Sequence, residues 1–209
     1  MLAFLAACNS DYTIRKKGYY QIDFPKHEYK LFDQPGYPYT FEYPVYARVV
    51  KDTSFFDGKP ENDYWVNVDF PQFDGKIYMS YKEIGKNELT KLVNDAFQMT
   101  YKHTQKATEI TDSAMLTPNG ISGLFFHVGG NAATAKQFFV TDSVKHFLRG
   151  ALYFDASPNE DSLGIVNQFL QEDMKHLINT LKWKGGTSSK PTVAAPKPQP
   201  TPVDPGVKH

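Results

Sequence analysis

The side chain with the most sharply defined chemistry is Cys8, the one cysteine of the chain. It follows Leu5-Ala6-Ala7 at the end of an apolar run that opens at Met1. Small residues before a cleavage point suit the narrow cleft of a signal peptidase. With a cysteine next, the pattern resembles a bacterial lipobox, whose thiol is acylated and becomes the new N-terminus. A diacylglyceryl thioether with an N-acyl chain contributes about 0.8 kcal/mol per buried CH2, enough for stable anchoring. A lone cysteine has no internal disulfide partner, and bare in an oxidising compartment it invites unwanted dimers. Only seven residues precede Cys8, and none is basic. The apolar region of a signal alone takes about 7–15 residues, so the true start is expected upstream of Met1.

Other reactive patterns are sparse. No Gly-rich phosphate loop ending in Lys-Ser/Thr occurs, and no Gly-x-Ser-x-Gly elbow. The histidines (27, 103, 127, 146, 176 and 209) include no i, i+4 pair of the kind that binds metal. Asp173 and His176 share a helical face at i, i+3, a spacing that usually marks a surface contact. His103, in Tyr101-Lys102-His103-Thr104, has two readings. One is an imidazole bonded to a carbonyl near a helix C-terminus; the other is a general base or ligand contact at one end of a sheet. Arg149, inside an apolar strand, could hold an anion or a structural carboxylate. Phe125-Phe126-His127-Val128-Gly129-Gly130 could line a ligand pocket, or its alternating aromatics could be plain core. The residues therefore predict no catalytic centre, no metal and no cofactor. A small-ligand, glycan-binding or enzymatic site near His103 and Arg149 is the alternative.

Positioning these groups falls to a pattern of strands interrupted by two helices. Tyr46 to Val50, Tyr64 to Phe70 and Lys76 to Tyr81 alternate with period two, the last two forming a hairpin across Phe73-Asp74-Gly75. From Glu88 to Lys106 the period becomes helical, with Leu89, Leu92, Val93, Ala96, Thr100 and His103 on one face and Asn87 as the expected cap. Strands resume at Ile110–Leu116, Ile121–Val128, Lys136–Thr141 and Phe147–Phe154. A second helix is expected from Asp161, its cap, to Lys182, with Gly185-Gly186 as the stop. Its stripe of Leu163, Val166, Leu170, Met174, Leu177, Ile178 and Leu181 is worth on the order of 10 kcal/mol when buried, before entropy. Such a helix must pack on a sheet. Strands, helix, strands, helix with short connections predict an α+β fold, a mostly antiparallel sheet with two helices packed on it.

Around this core the chain divides as follows. Residues 1–7 are the remnant of a signal, 8–18 a lipidated tether, 19–184 a single domain and 185–209 a disordered Pro-rich tail. The stretch 19–47 is dense in tyrosine and proline, which predicts edge pieces and turns whose aromatics lie flat on the surface. Lys plus Arg equals Asp plus Glu, 23 each. That balance argues against a nucleic-acid partner, which calls for a basic excess. No later segment approaches the ~20 apolar residues of a membrane span, so lipid on Cys8 is the expected membrane contact. Asn9-Ser10-Asp11 lacks a dense acidic run, which favours a periplasm-facing position over surface display.

Several phrases together resemble the gliding-motility lipoprotein GldD family of the Bacteroidetes. They are Asp11-Tyr12-Thr13, Gly18-Tyr19-Tyr20-Gln21-Ile22-Asp23-Phe24-Pro25 and Tyr39-Thr40-Phe41-Glu42-Tyr43-Pro44. Further along come Trp65-Val66-Asn67-Val68-Asp69-Phe70-Pro71, Tyr101-Lys102-His103-Thr104 and Phe169-Leu170-Gln171-Glu172-Asp173-Met174-Lys175-His176-Leu177-Ile178. The element order also resembles the Mog1/PsbP-like α/β/α sandwich. The family resemblance implies a lipid-anchored envelope protein of gliding motility, partnered with other gliding and type IX secretion envelope proteins. It implies no catalytic residues, and gives only Cys8 a role, as the lipidation site.

Overall fold

Alternating apolar residues fold into strands here because one or both sheet faces are covered, and the coverings differ. In the computed structural model, which describes residues 22–53 and 59–185, the main sheet has seven strands. They are β3 (Arg48–Lys51), β4 (Val66–Phe70), β5 (Gly75–Glu83), β6 (Ala107–Leu116), β7 (Ser122–Gly130), β8 (Lys136–Thr141) and β9 (His146–Phe154). Their order is β3-β4-β5-β9-β8-β7-β6 and every pairing is antiparallel. Two meanders thus meet at the β5–β9 seam, where Gly75 to Glu83 pair in register with Phe154 to His146. The expected β4–β5 hairpin forms, turning through a short 3-10 segment at Pro71–Phe73 and a left-handed Asp74.

The helix α1 (Leu89–Tyr101) crosses between the meanders and covers one face. Its Leu92, Val93 and Ala96 pack with Phe126, Phe139 and Phe147. The second helix, α2 (Glu160–Thr180), shares the opposite core with Ile77, Met79, Phe138, Val140, Leu148 and Leu152. Period-two alternation sends Phe138 and Val140 to one side and Phe139 to the other, so β8 is buried throughout. This is an α+β fold, a mostly antiparallel sheet with helices on both faces.

The expectation for residues 19–47 is corrected within its described part. β1 (Tyr29–Phe32), β2 (Tyr39–Pro44) and the short β10 (Lys182–Trp183) form a second sheet in the order β1-β2-β10. Tyr39 and Phe41 are fully buried and belong to the α2-side core rather than lying on the surface. The prolines do not prevent this, because Pro38 precedes β2 and Pro44 ends it, leaving the ladder residues between them able to donate. Both helix starts also differ from expectation. The N-cap of α1 is Glu88, with no side-chain cap bond, while Asn87 donates to Glu61 and to the Glu83 carbonyl. The α2 cap is Asn159, whose side chain accepts from the Asp161 amide, so Asp161 lies in the first turn. α1 ends at Tyr101, which places His103 in the following turn. α2 ends at Thr180 because Leu181 swings to extended backbone to enter β10, so Gly185 is not its stop.

Candidate functional site

Cys8, the signal remnant, the tether and residues 186–209 lie outside the described residues. The remaining polar side chains of interest fall into three groups, each set by a different pair of elements.

The first group joins α1 to the sheet. Arg149 points from β9 toward α1 and is 8 % exposed; its Nη2 donates to Gln137 Oε1 at 2.5 Å. The same amide oxygen lies 3.3 Å from Thr100 Oγ1, which also reaches the Ala96 carbonyl at 2.9 Å. Burial lowers the guanidinium's pKa, opposed by the Tyr153 phenol. Arg149 thus donates to an amide oxygen, that of Gln137. His103 sits close enough that, after burial, Arg149 is the second influence pushing the imidazole's pKa down. The His103 amide donates to the Thr100 carbonyl, and its own carbonyl accepts from the Lys106 and Ala107 amides. The structure thus brings the two sequence-predicted residues together, around the end of α1.

The second group ties the arm carrying His27, Tyr29 and Tyr46 to α2, and Asp173 is its centre. Its carboxylate, 1 % exposed, accepts from Tyr46 Oη at 2.5 Å and Tyr29 Oη at 3.1 Å, and lies 2.7 Å from His27 Nδ1. Burial and this carboxylate push both phenol pKa values far up, so both tyrosines stay neutral donors. His27 Nε2 also faces Glu172 at 3.2 Å. The Tyr29 ring stacks on His176, whose Nε2 meets Glu42 at 2.7 Å. Phe24 packs on Phe169, with ring centroids 4.5 Å apart. The Asp173–His176 surface contact expected from spacing is replaced by two separate partnerships. The missed signal was Asp173's place three residues after Leu170 and four before Leu177, inside the apolar stripe.

The third group lines a cleft of about 380 Å3 between the β7–β8 hairpin and the first half of α2. The Phe125–Gly130 segment contributes to it through His127, Val128 and Gly130, while Phe125 and Phe126 enter opposite cores. Lys136, 7 % exposed, places Nζ 2.6 Å from His127 Nδ1. Burial first, then Lys175, pushes the Lys136 pKa down to about 8. Burial and Lys136 lower the pKa of His127, so the imidazole is a neutral acceptor for the ammonium. Asn167, Gln168 and Gln171 of α2 line the facing wall, and the Asn167 Oδ1 is buried with no hydrogen-bond partner. Gly164 completes that wall; a Cβ there would meet no atom within 4 Å.

Among the described residues no group of three or more His, Cys, Asp or Glu could hold a metal, and no helix is long and apolar enough to cross a membrane. Residues 9–183 match the family model described as gliding motility lipoprotein GldD. Among solved structures, the chain is similar to the solution structure of cyanobacterial PsbP (CyanoP) from Synechocystis sp. PCC 6803. Identity is 15 %, the match covers 76 % of this chain and 94 % of that one, and the TM-score is 0.45. No curated protein matches.

Proposed function

The chain belongs to the gliding motility lipoprotein GldD family, and from that premise we propose that it serves motility by assembling or stabilising an envelope complex rather than by catalysis. As a member of a lipoprotein family it is a lipid-anchored protein of the cell envelope. In our reading the lipid sits on Cys8, the domain faces the periplasm, and its partners are other envelope proteins of gliding and type IX secretion. The observation that carries this reading is the family match, which begins at the residue after Cys8 and runs through β10.

The use made of the polar side chains supports a non-catalytic role. Asp173, the most buried carboxylate among the described residues, holds three donors that fix His27, Tyr29 and Tyr46 to α2. Arg149 joins α1, β8 and β9 through Gln137. The arm around Phe24 and His27 is thereby fixed against α2. A lipid then holds the domain beside its neighbours in the envelope.

In-cell crosslinking of the tagged wild type and of Cys8→Ala tests this. The wild type should sediment with membranes, crosslink to gliding or secretion components and support gliding. Cys8→Ala should lose all three. Normal gliding and membrane retention by Cys8→Ala would overturn the reading.

A further inference from the structure

The Lys136 cleft is built at a cost that packing alone does not repay. A lysine 7 % exposed is rare unless paired with an acid, and burying an uncompensated charge is expensive. Among the described residues the hydrogen-bond partner of Lys136 is the neutral His127 ring, and Lys175 adds a second positive charge nearby. Across the cleft, the Asn167 carbonyl oxygen is buried without a donor. A buried acceptor left in this way costs roughly 1–3 kcal/mol. Gln168 and Gln171 bring two further amides to the same wall, each able to donate and to accept. The cleft holds about 380 Å3, within the range of small-ligand sites.

We propose that this cleft binds a small acidic sugar, whose carboxylate sits on the Lys136 ammonium and whose hydroxyl or amide groups pair with Asn167, Gln168 and Gln171. The carboxylate supplies the negative charge that Lys136 lacks. A ligand hydroxyl supplies the donor that Asn167 Oδ1 lacks. Glu160 lies on the lining, and Glu109 approaches the far nitrogen of His127 at 3.8 Å. These two acids disfavour a doubly charged phosphate more than a monoanion. Gly164 lies on the lining, and a Cβ there would meet no heavy atom within 4 Å, so this stretch of wall leaves open space beside the cleft. The site is independent of how the domain serves motility.

Ligand-observed saturation-transfer NMR on the full chain in detergent tests the proposal, with N-acetylmuramic acid and glucuronic acid as probes and N-acetylglucosamine as the neutral control. Both acids should show transfer, at least about ten-fold stronger than the neutral sugar, since a charge-assisted bond is worth that factor or more. Lys136→Met should weaken acid binding about ten-fold or more, and Gly164→Leu, which fills the opening, should abolish it. Gly164→Leu raises helix propensity at a half-exposed position, so its melting temperature should stay at or above wild type. It keeps the test decisive if Lys136→Met folds poorly. No transfer to either acid, equal transfer to the neutral sugar, preference for glucose 6-phosphate, or undiminished binding by either folded variant would each overturn the assignment.

Discussion

Replacing Asp173 by alanine measures how firmly the arm carrying His27, Tyr29 and Tyr46 is held to α2. Three donors lose their acceptor: Tyr46 Oη, Tyr29 Oη and His27 Nδ1. Hydrogen bonds to a charged group contribute about 1.5–3 kcal/mol each, and the lower end applies because all three donors are only part-buried and can regain water. Relief of the carboxylate's own desolvation offsets some of that sum. The net expectation is a loss of about 3 kcal/mol, a sizeable share of the ~5–15 kcal/mol that stabilises a domain. With a urea dependence of about 2 kcal/mol/M, the unfolding midpoint should fall by about 1.5 M. Asp173→Asn keeps one acceptor oxygen and should lose about half as much. Amide exchange adds spatial resolution: protection should fall more in residues 24–32 than in β8 and β9, because the lost contacts belong to the arm. A change below about 0.5 kcal/mol for Asp173→Ala, or an equal loss of protection across β8 and β9, would refute the arm-anchoring role.

Four further outcomes follow from particular residues. The Lys136 pKa of about 8 lies below its unfolded value, so the native state binds fewer protons between about pH 8 and 10.5, and its buried charge costs stability below that window. Lys136→Met should therefore be more stable than wild type at pH 7 by roughly 1–2 kcal/mol after solvent screening, a gap that closes as pH rises toward 10 in urea titrations. Burial pushes the His146 pKa below its usual 6.5 while Tyr81 Oη lies 2.7 Å from Nδ1, so stability is full above about pH 6.5 and is lost as pH falls beneath it. His146→Phe, which keeps a ring against Trp183, should flatten that acid limb of the thermal profile. A Cβ at Gly123 would lie 2.0 Å from the Phe139 carbonyl oxygen, so Gly123→Ala should break the β7–β8 ladder and cost at least about 3 kcal/mol by chemical denaturation. Gln137→Leu removes the acceptor of the buried Arg149 guanidinium and should cost about 2–4 kcal/mol by the same assay.

Strands β4 and β5 are legible from their alternation, and β8 and β9 from short apolar runs that the structure buries on both faces. The two helices were legible from a 3.6-residue stripe, but their caps were not. Asn87 and Asp161 were reasonable capping residues by type, and backbone geometry instead chose Glu88 and Asn159. The site residues show the same limit more sharply. The sequence suggests that His103 and Arg149 share one end of the sheet, and the turn after α1 places His103 within electrostatic reach of Arg149. Nothing local marks His27, Tyr29 and Tyr46 as partners of Asp173, because the bonds span more than 120 positions.

The sequence by itself determined the two periodicities, the mostly antiparallel sheet they imply, the family phrases and the lone thiol at Cys8, since each is written in residues close together along the chain. The tertiary structure decided which face each helix covers, that Tyr39 and Phe41 are core, and that β5 must wait for β9 as its neighbour. It also decided that Lys136 is buried beside a neutral ring and an unsatisfied amide across the cleft. Those outcomes depend on desolvation, which is set by whatever distant segments close over a side chain and so has no local signature in the chain.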